Sequence, residues 1–414
     1  VERGARWFED GSLRVDYREL SAFSLYSRWL QGQQAHVTSW AARAATHDVS
    51  VLRVILTLGG PYWEAQPREW FGHTLASGPQ VPGFHEQLVP FVRAMAAQGL
   101  RVRLVLIGDA HMFVPEERWP DLAARREAMD EPARNRIRAY VRRVVGALAA
   151  EPTVIWEVAN EYANVGLAGN EAFVTELGAL VKSLDPDAPM NYSAPRDVEA
   201  AAVQWMRPPA DFVSVHVSRD RGAGGYQWLH ALASSPAMVA ARQPVRMPFL
   251  SGEPLNFGDA RRDGRNGDVE PSPAVAFAYG SASRVLQCNT TFHHDDGLWT
   301  AGWGERTDRA LAAWRRGLDA VPMPDTPPTD PDGPASPWTS GVHAAGGDLE
   351  AMERHVAAGR GPVALFTNGA YSVALGARAG WDHSPALKAG RRLRVLARVA
   401  DGATETVVFV EDGR

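Results

Sequence analysis

The chain has 414 residues, a formal net charge of -5 and 45% apolar residues. That apolar share supports a sizeable core and excludes global disorder, and the mild acidity gives no electrostatic case for nucleic acid or an anionic membrane. The single cysteine, Cys288, excludes an intramolecular disulfide, and no apolar run approaches the roughly 20 residues that span a bilayer.

The chain opens Val1-Glu2-Arg3-Gly4 without an apolar signal stretch. Secretion is left open by this, with a secreted or periplasmic location the expectation. Arg6 to Arg14 reads as a short hairpin around Gly11. Strands and helices then alternate. The predicted strands are Leu20–Leu25, Val51–Leu56, Val102–Ile107, Thr153–Ala159, Pro189–Ser193, Phe212–Val217, Met247–Ser251 and Cys288–Phe292. The predicted helices are His36–Thr46, Phe84–Gln98, Arg134–Ala150, Glu171–Leu184, Val198–Met206, Gln227–Arg242, Ala274–Leu286 and Thr307–Val321. Gly99 is the C-cap of the second helix, and Ile137, Val141, Val144, Val145 and Leu148 line one face of the third. The near-continuous apolar strands suit parallel strands buried on both faces.

Eight such strands over about 320 residues predict an α/β fold, a (β/α)8 TIM barrel. A doubly wound open sheet is the rival, but no Gly-rich phosphate loop follows Phe23. The expected domains are a barrel with its N-terminal hairpin over 1–321, a Pro-rich linker or strap over 322–340, and a small β-sandwich over 341–414. Within the last, Asn368-Gly369 is a hairpin signal.

Polar residues gather at the strand ends, the rim where such barrels do chemistry. The second strand carries Arg53 and is followed by Trp63. The third is followed by Asp109 and His111. The fourth ends in Asn160-Glu161, and the fifth ends in Asn191-Tyr192-Ser193. The sixth carries His216, the seventh ends in Glu253, and the eighth is followed by His293, His294, Asp295 and Trp299. A carboxylate at the end of a buried strand costs free energy unless it is paired or used. Two glutamates facing one another across a rim are the equipment of a glycosidase. Glu157, two residues deeper than Ala159, is expected to be a buried partner of Arg53. Trp63, Trp299 and Trp303 are candidates for sugar stacking, whereas Trp205, Trp228 and Trp314 lie on helices and read as core.

The Trp156-Glu157-x-x-Asn160-Glu161 arrangement on the fourth strand, with Gly252-Glu253 on the seventh, resembles clan A glycoside hydrolases, the cellulase-like retaining enzymes nearest to family 5. The resemblance spans residues 1–321. It implies that Glu161 is the acid/base and Glu253 the nucleophile. It also implies that Asn160 binds the sugar 2-hydroxyl, that Arg53 keeps the nucleophile ionised, and that His216 belongs to the same site. The sequence departs from family 5 at the sixth strand, where His216-Val217-Ser218 lacks a Tyr, and Tyr192 is the expected substitute. It departs again at the eighth, where Phe292-His293-His294 replaces a stacking Trp.

The expected activity is retaining hydrolysis of β-glycosidic bonds in an oligosaccharide or polysaccharide, without a cofactor. Substrate contacts are expected from Trp63, Asp109, His111, Tyr192, His293, Asp295 and Trp299. A catalytically silent carbohydrate-binding barrel is the alternative. A metal-dependent hydrolase is a weaker one. His293 and His294 are adjacent on a strand and point to opposite faces, so no metal site is expected there.

Overall fold

A computed structural model of the chain describes residues 8–10, 13–57, 74–75, 78–79, 83–114, 129–161, 170–194, 209–216, 249–257, 280, 288–294, 303–320, 363–367, 371–375, 393–401 and 404–411. The chain divides into two compact units, Val1–His216 and Val217–Arg414. That division falls inside the stretch the sequence assigns to a single barrel.

The first unit opens with the expected hairpin, β1 (Phe8–Asp10) antiparallel to β2 (Leu13–Val15). Its body is a parallel sheet of β3 (Arg18–Ser21), β4 (Val51–Ile55), β7 (Arg101–Ile107), β8 (Val154–Ala159), β9 (Met190–Ala194) and β10 (Phe212–His216), paired in that order. Two short pairs of residues, β5 (Thr74–Leu75) and β6 (Gly78–Pro79), form a separate ribbon between β4 and β7 in the chain. Helices α1 (Leu25–Leu30), α2 (Gln34–Thr46), α3 (Leu88–Ala96), α4 (Glu131–Leu148) and α5 (Glu171–Leu184) are distributed between the strands. The result is a partial (β/α) barrel.

Strand pleating explains the sheet's two faces. On β4, β7 and β8 the apolar residues Leu52, Val54, Val102, Leu104, Leu106, Trp156 and Val158 alternate with Arg53, Arg103 and Glu157, and all of them are buried. The apolar set meets the helices. Tyr140 of α4 donates its hydroxyl to Leu106 O at 3.1 Å, and the Trp156 indole N–H donates to Asp185 just past α5 at 2.8 Å. The charged set occupies the opposite, inner face.

Helix ends follow local chemistry. Asp130 caps α4, its carboxylate accepting the Ala133 N–H at 2.9 Å, with Pro132 in the first turn. Helix α3 is shorter than the predicted Phe84–Gln98 and has Ala97 as its C-cap, with Gly99 at φ +78° two residues further on. The first barrel strand differs from expectation. It covers Arg18–Ser21 rather than Leu20–Leu25, and Leu25 begins a helix instead. Its inner residues are Glu19 and Ser21, so its apolar signature is weak.

In the second unit β11 (Phe249–Phe257) runs parallel to β12 (Cys288–His294). Their register jumps from Ser251↔Thr290 to Leu255↔Phe292, so four steps along β11 match two along β12. The irregularity holds Gly252, Glu253 and Pro254, and Pro254 has no N–H to give the ladder. Helix α6 (Glu305–Ala320) buries Trp314 fully, its ring 5.5 Å from that of Phe292. The C-terminal strands β13 (Val363–Thr367), β14 (Tyr371–Leu375), β15 (Leu393–Asp401) and β16 (Thr404–Glu411) form one antiparallel sheet in the order β14-β13-β16-β15. A second layer of the expected sandwich is not among the described residues. The predicted helices 198–206 and 227–242 also lie outside them, as does 274–286 apart from Gly280. No helix among the described residues is long and apolar enough to cross a membrane.

Candidate active site

The inner face of the first unit is built around charge. Arg53 and Arg103 stand opposite one another in register on β4 and β7, and both are completely buried. Two guanidinium groups in an apolar sheet are tolerated only if carboxylates face them. Glu157 of β8 supplies one. Arg53 donates Nε–H to Glu157 Oε2 at 2.8 Å and Nη2–H to Oε1 at 2.7 Å, a two-point grip. Arg103 reaches the same carboxylate, Nη1 lying 3.0 Å from Oε2. Its Nη2 donates to Glu19 of β3 at 2.5 Å, and Tyr17 donates its hydroxyl to the other Glu19 oxygen at 2.6 Å. Glu157 is thus the buried partner the sequence predicts, shared between two arginines.

Protonation follows from this arrangement. Burial works against the Arg103 charge, but Glu157 and Glu19 more than offset it and hold the guanidinium above its ordinary pKa. Burial, and then the Glu19 charge, push the Tyr17 phenol well above its usual range. The phenol therefore stays a donor to Glu19.

The network ends at the rim. Arg53 Nη2 also donates to Asn160 Oδ1 at 2.7 Å, which fixes the carboxamide's oxygen toward the sheet and leaves its NH2 group as the donor end. The Asn160 backbone N–H donates to Ile107 O at 2.9 Å. Glu161 follows directly and has φ +41°. A non-glycine residue in the left-handed region is strained, and such strain concentrates at functional sites. Glu161 is 9% exposed, and its N–H donates to Ser193 Oγ on β9 at 3.3 Å. Gly108, just past β7, lies so close to the end of β4 that a Cβ there would stand 2.2 Å from Ile55 Cγ2 and 2.5 Å from Thr57 O.

Other sequence-predicted residues fall in several groups. Asp109 follows β7 and is completely buried. His111 lies in the 3-10 turn Ala110–Phe113, His216 ends β10, and Glu253 and His293 lie on β11 and β12; only their backbones are described. Trp63, Asp295 and Trp299 lie outside the described residues. Trp303 donates its indole N–H to Asp308 at 2.8 Å, on the first turn of α6.

Tyr192 requires a correction. The sequence offered its hydroxyl to the sugar, but the phenol points away from the inner face and packs beneath α5. Its hydroxyl donates to Thr175 O at 3.3 Å, and a Cβ on Gly178 would stand 1.9 Å from the Tyr192 hydroxyl oxygen. Strand parity is the reason. Asn191 pairs with the inward-facing Glu157, so Asn191 and Ser193 face in and Tyr192 faces out. Asn191 and Ser193, which the sequence places at this strand end without a role, face inward, as do Glu19 and Arg103, which it does not single out. Asn191 is fully buried, and neither its oxygen nor its nitrogen has a hydrogen-bond partner among the described residues. The described residues contain no group of three or more His, Cys, Asp or Glu able to hold a metal ion.

No family model matches the chain. Solved structures match it over most of its length. A family 5 glycoside hydrolase from Bacteroides vulgatus aligns with a TM-score of 0.58 at 11% identity, covering 99% of this chain and 92% of that one. A family 5 mannosidase from Rhizomucor miehei gives 0.54 at 12% identity, over 76% of this chain and 96% of that one. An enzyme of subfamily 18 of family 5 from Streptomyces cattleya, in complex with GlcNAc, gives 0.52 at 15% identity, over 83% and 92%. The chain resembles family 5 of clan A in fold. One stretch of 118 residues is 33% identical to human inositol-trisphosphate 3-kinase B, but it is 28% of this chain and spans 12% of that protein's length. A match so partial carries no activity across.

Proposed function

We propose that this chain is a retaining β-glycoside hydrolase. Glu253 is the nucleophile and Glu161 the acid/base. Glu161 protonates the glycosidic oxygen as the bond from that oxygen to the anomeric carbon breaks, while Glu253 forms its own bond to the same carbon. Water, giving its proton to Glu161, then displaces Glu253 and restores the starting configuration. This chemistry needs the two carboxyls about 5–5.5 Å apart. It requires no metal or cofactor.

The observation that carries the reading is the pinned Asn160-Glu161 pair at the end of β8. Arg53 orients the Asn160 carboxamide, whose NH2 is then available to a sugar 2-hydroxyl, and Glu161 is held at positive φ beside it. Glu253 lies in the register shift at Gly252-Glu253-Pro254, and bulges are over-represented next to active sites. Arg53 keeps Glu253 ionised, and His216 supports the site. His111, His293, Asp295, Trp63 and Trp299 line the path of an oligosaccharide or polysaccharide, whereas Asp109, expected there from the sequence, is completely buried and is not among them. The mannosidase and the endo-β-1,4-mannanase from Thermotoga petrophila among the similar folds put β-mannosides first on a substrate panel.

The test is turnover of aryl β-mannosides, β-glucosides and related glycosides by the parent and two variants. Glu253→Ala should abolish turnover, and added azide should restore it with an α-glycosyl azide as product. Glu161→Ala should lose about 10²–10⁴-fold on poor leaving groups and far less on activated ones. Equal, mild losses in both variants would overturn the assignment. Sugar binding without turnover across the panel would favour the silent carbohydrate-binding barrel instead.

A further inference from the structure

Glu161 adopts a backbone conformation that its own side chain disfavours, so something outside the residue must hold it there. On its N-terminal side, Asn160 is tied by its backbone to Ile107 and by its side chain to Arg53. At Glu161 itself, the N–H points at the hydroxyl of Ser193, one strand away. Ser193 is 1% exposed and faces inward on β9, level with Ser214 of β10. A hydroxyl is the smallest side chain that can accept this N–H without filling the pocket floor.

We propose that Ser193 is a positioning residue for Glu161: its hydroxyl holds the Glu161 backbone in the left-handed conformation and thereby sets where the carboxyl stands. The inference rests on Glu161 being the acid/base. Without the acceptor, the peptide at Glu161 relaxes toward the commoner negative φ, and the carboxyl swings off the line of the leaving oxygen. A displacement of about 1 Å costs on the order of 10²-fold in rate where proton transfer must be aligned. The loss falls on steps that need the proton. A leaving group stable as an anion departs without it, so the first step on an activated substrate, read by kcat/KM, is spared, while the second step, in which Glu161 takes a proton from water, slows for both substrates.

The experiment measures kcat and KM of the full chain and of Ser193→Ala, Ser193→Thr and Ser193→Cys, on a good and a poor aryl β-glycoside of the sugar that the parent hydrolyses. Ser193→Ala should lose kcat/KM on the poor leaving group by about 10- to 100-fold and keep kcat/KM on the good one, where kcat and KM fall together. The alkaline limb of its pH profile should move, because a displaced carboxyl titrates in a different setting. Ser193→Thr keeps the hydroxyl and should recover most of the loss. Ser193→Cys keeps the size with a weak acceptor, so it decides the matter if the alanine variant does not fold. Equal losses of kcat/KM on both substrates, a change in KM alone, or parental behaviour in the alanine or cysteine variant would overturn the proposal. A parent with no glycosidase activity, or a Glu161→Gln variant as active as the parent, would instead remove the acid/base reading on which it rests.

Discussion

Replacing Glu157 with glutamine tests the charged inner face most sharply. The substitution keeps size and shape and removes one negative charge. That carboxylate is 0% exposed and stands 2.8 and 2.7 Å from two nitrogens of Arg53 and 3.0 Å from Arg103 Nη1. Arg53 would lose its two-point grip, and Arg103 would keep Glu19. At an effective dielectric near 20, each contact of about 4 Å or less is worth roughly 4 kcal/mol before desolvation. Both arginines stay buried in the variant, so their desolvation is not recovered. Removing one partner of such a buried pair costs about 3–5 kcal/mol, against total stabilities of about 5–15 kcal/mol. Glu157→Gln should therefore fold, with its urea midpoint well below the parent's and an unchanged m-value. It should also lose activity, because Arg53 would no longer hold Asn160. A stability loss under about 1 kcal/mol, the range of a solvent-exposed pair, would refute the picture of a dry network.

Further outcomes follow from the packing. Gly178→Ala should destabilise by about 1–3 kcal/mol, because its methyl would collide with the Tyr192 ring; thermal unfolding reads this directly. Tyr192→Phe should leave turnover unchanged, since the hydroxyl serves α5 rather than the pocket; a loss of kcat would return Tyr192 to the site. Burial, then Arg143, holds the His85 pKa below its ordinary 6.5 against an opposing pull from Glu86. The folded state thus resists a proton that the unfolded chain accepts. This contribution is present above pH 6.5 and is lost as pH falls through the lower folded value. Urea midpoints from pH 7.5 to 5 should drop less steeply in His85→Gln than in the parent, and parallel slopes would contradict the assignment.

The βα alternation was legible because the outer faces of β4, β7 and β8 are apolar runs that read the same from any side. Glu171–Leu184 is a helix with the predicted bounds, since Phe173, Val174, Leu177 and Val181 repeat at helical spacing. The first barrel strand was harder. Arg18 and Glu19 look like loop residues until Arg103 is seen opposite, and that pairing joins residues far apart in the chain. Glu161 stood out as a strand-end carboxylate, but its positive φ depends on tertiary ties that no local pattern encodes. Tyr192 was misassigned because a five-residue strand gives too few alternations to fix which residues face inward. The register with Glu157 decides it.

The central claim is that Glu253 forms a covalent bond to sugar. Incubation with a 2-deoxy-2-fluoro β-glycosyl fluoride, in the gluco and manno series, slows both chemical steps because the fluorine destabilises positive charge at the anomeric carbon. The reactive leaving group lets the first step proceed, and the glycosyl-enzyme accumulates. Mass spectrometry of the digested protein should find one fluorosugar on the peptide containing Glu253 and none on that peptide in Glu253→Ala. A label on any other carboxylate, or inactivation without a label in an enzyme that hydrolyses the parent sugar, would contradict the account.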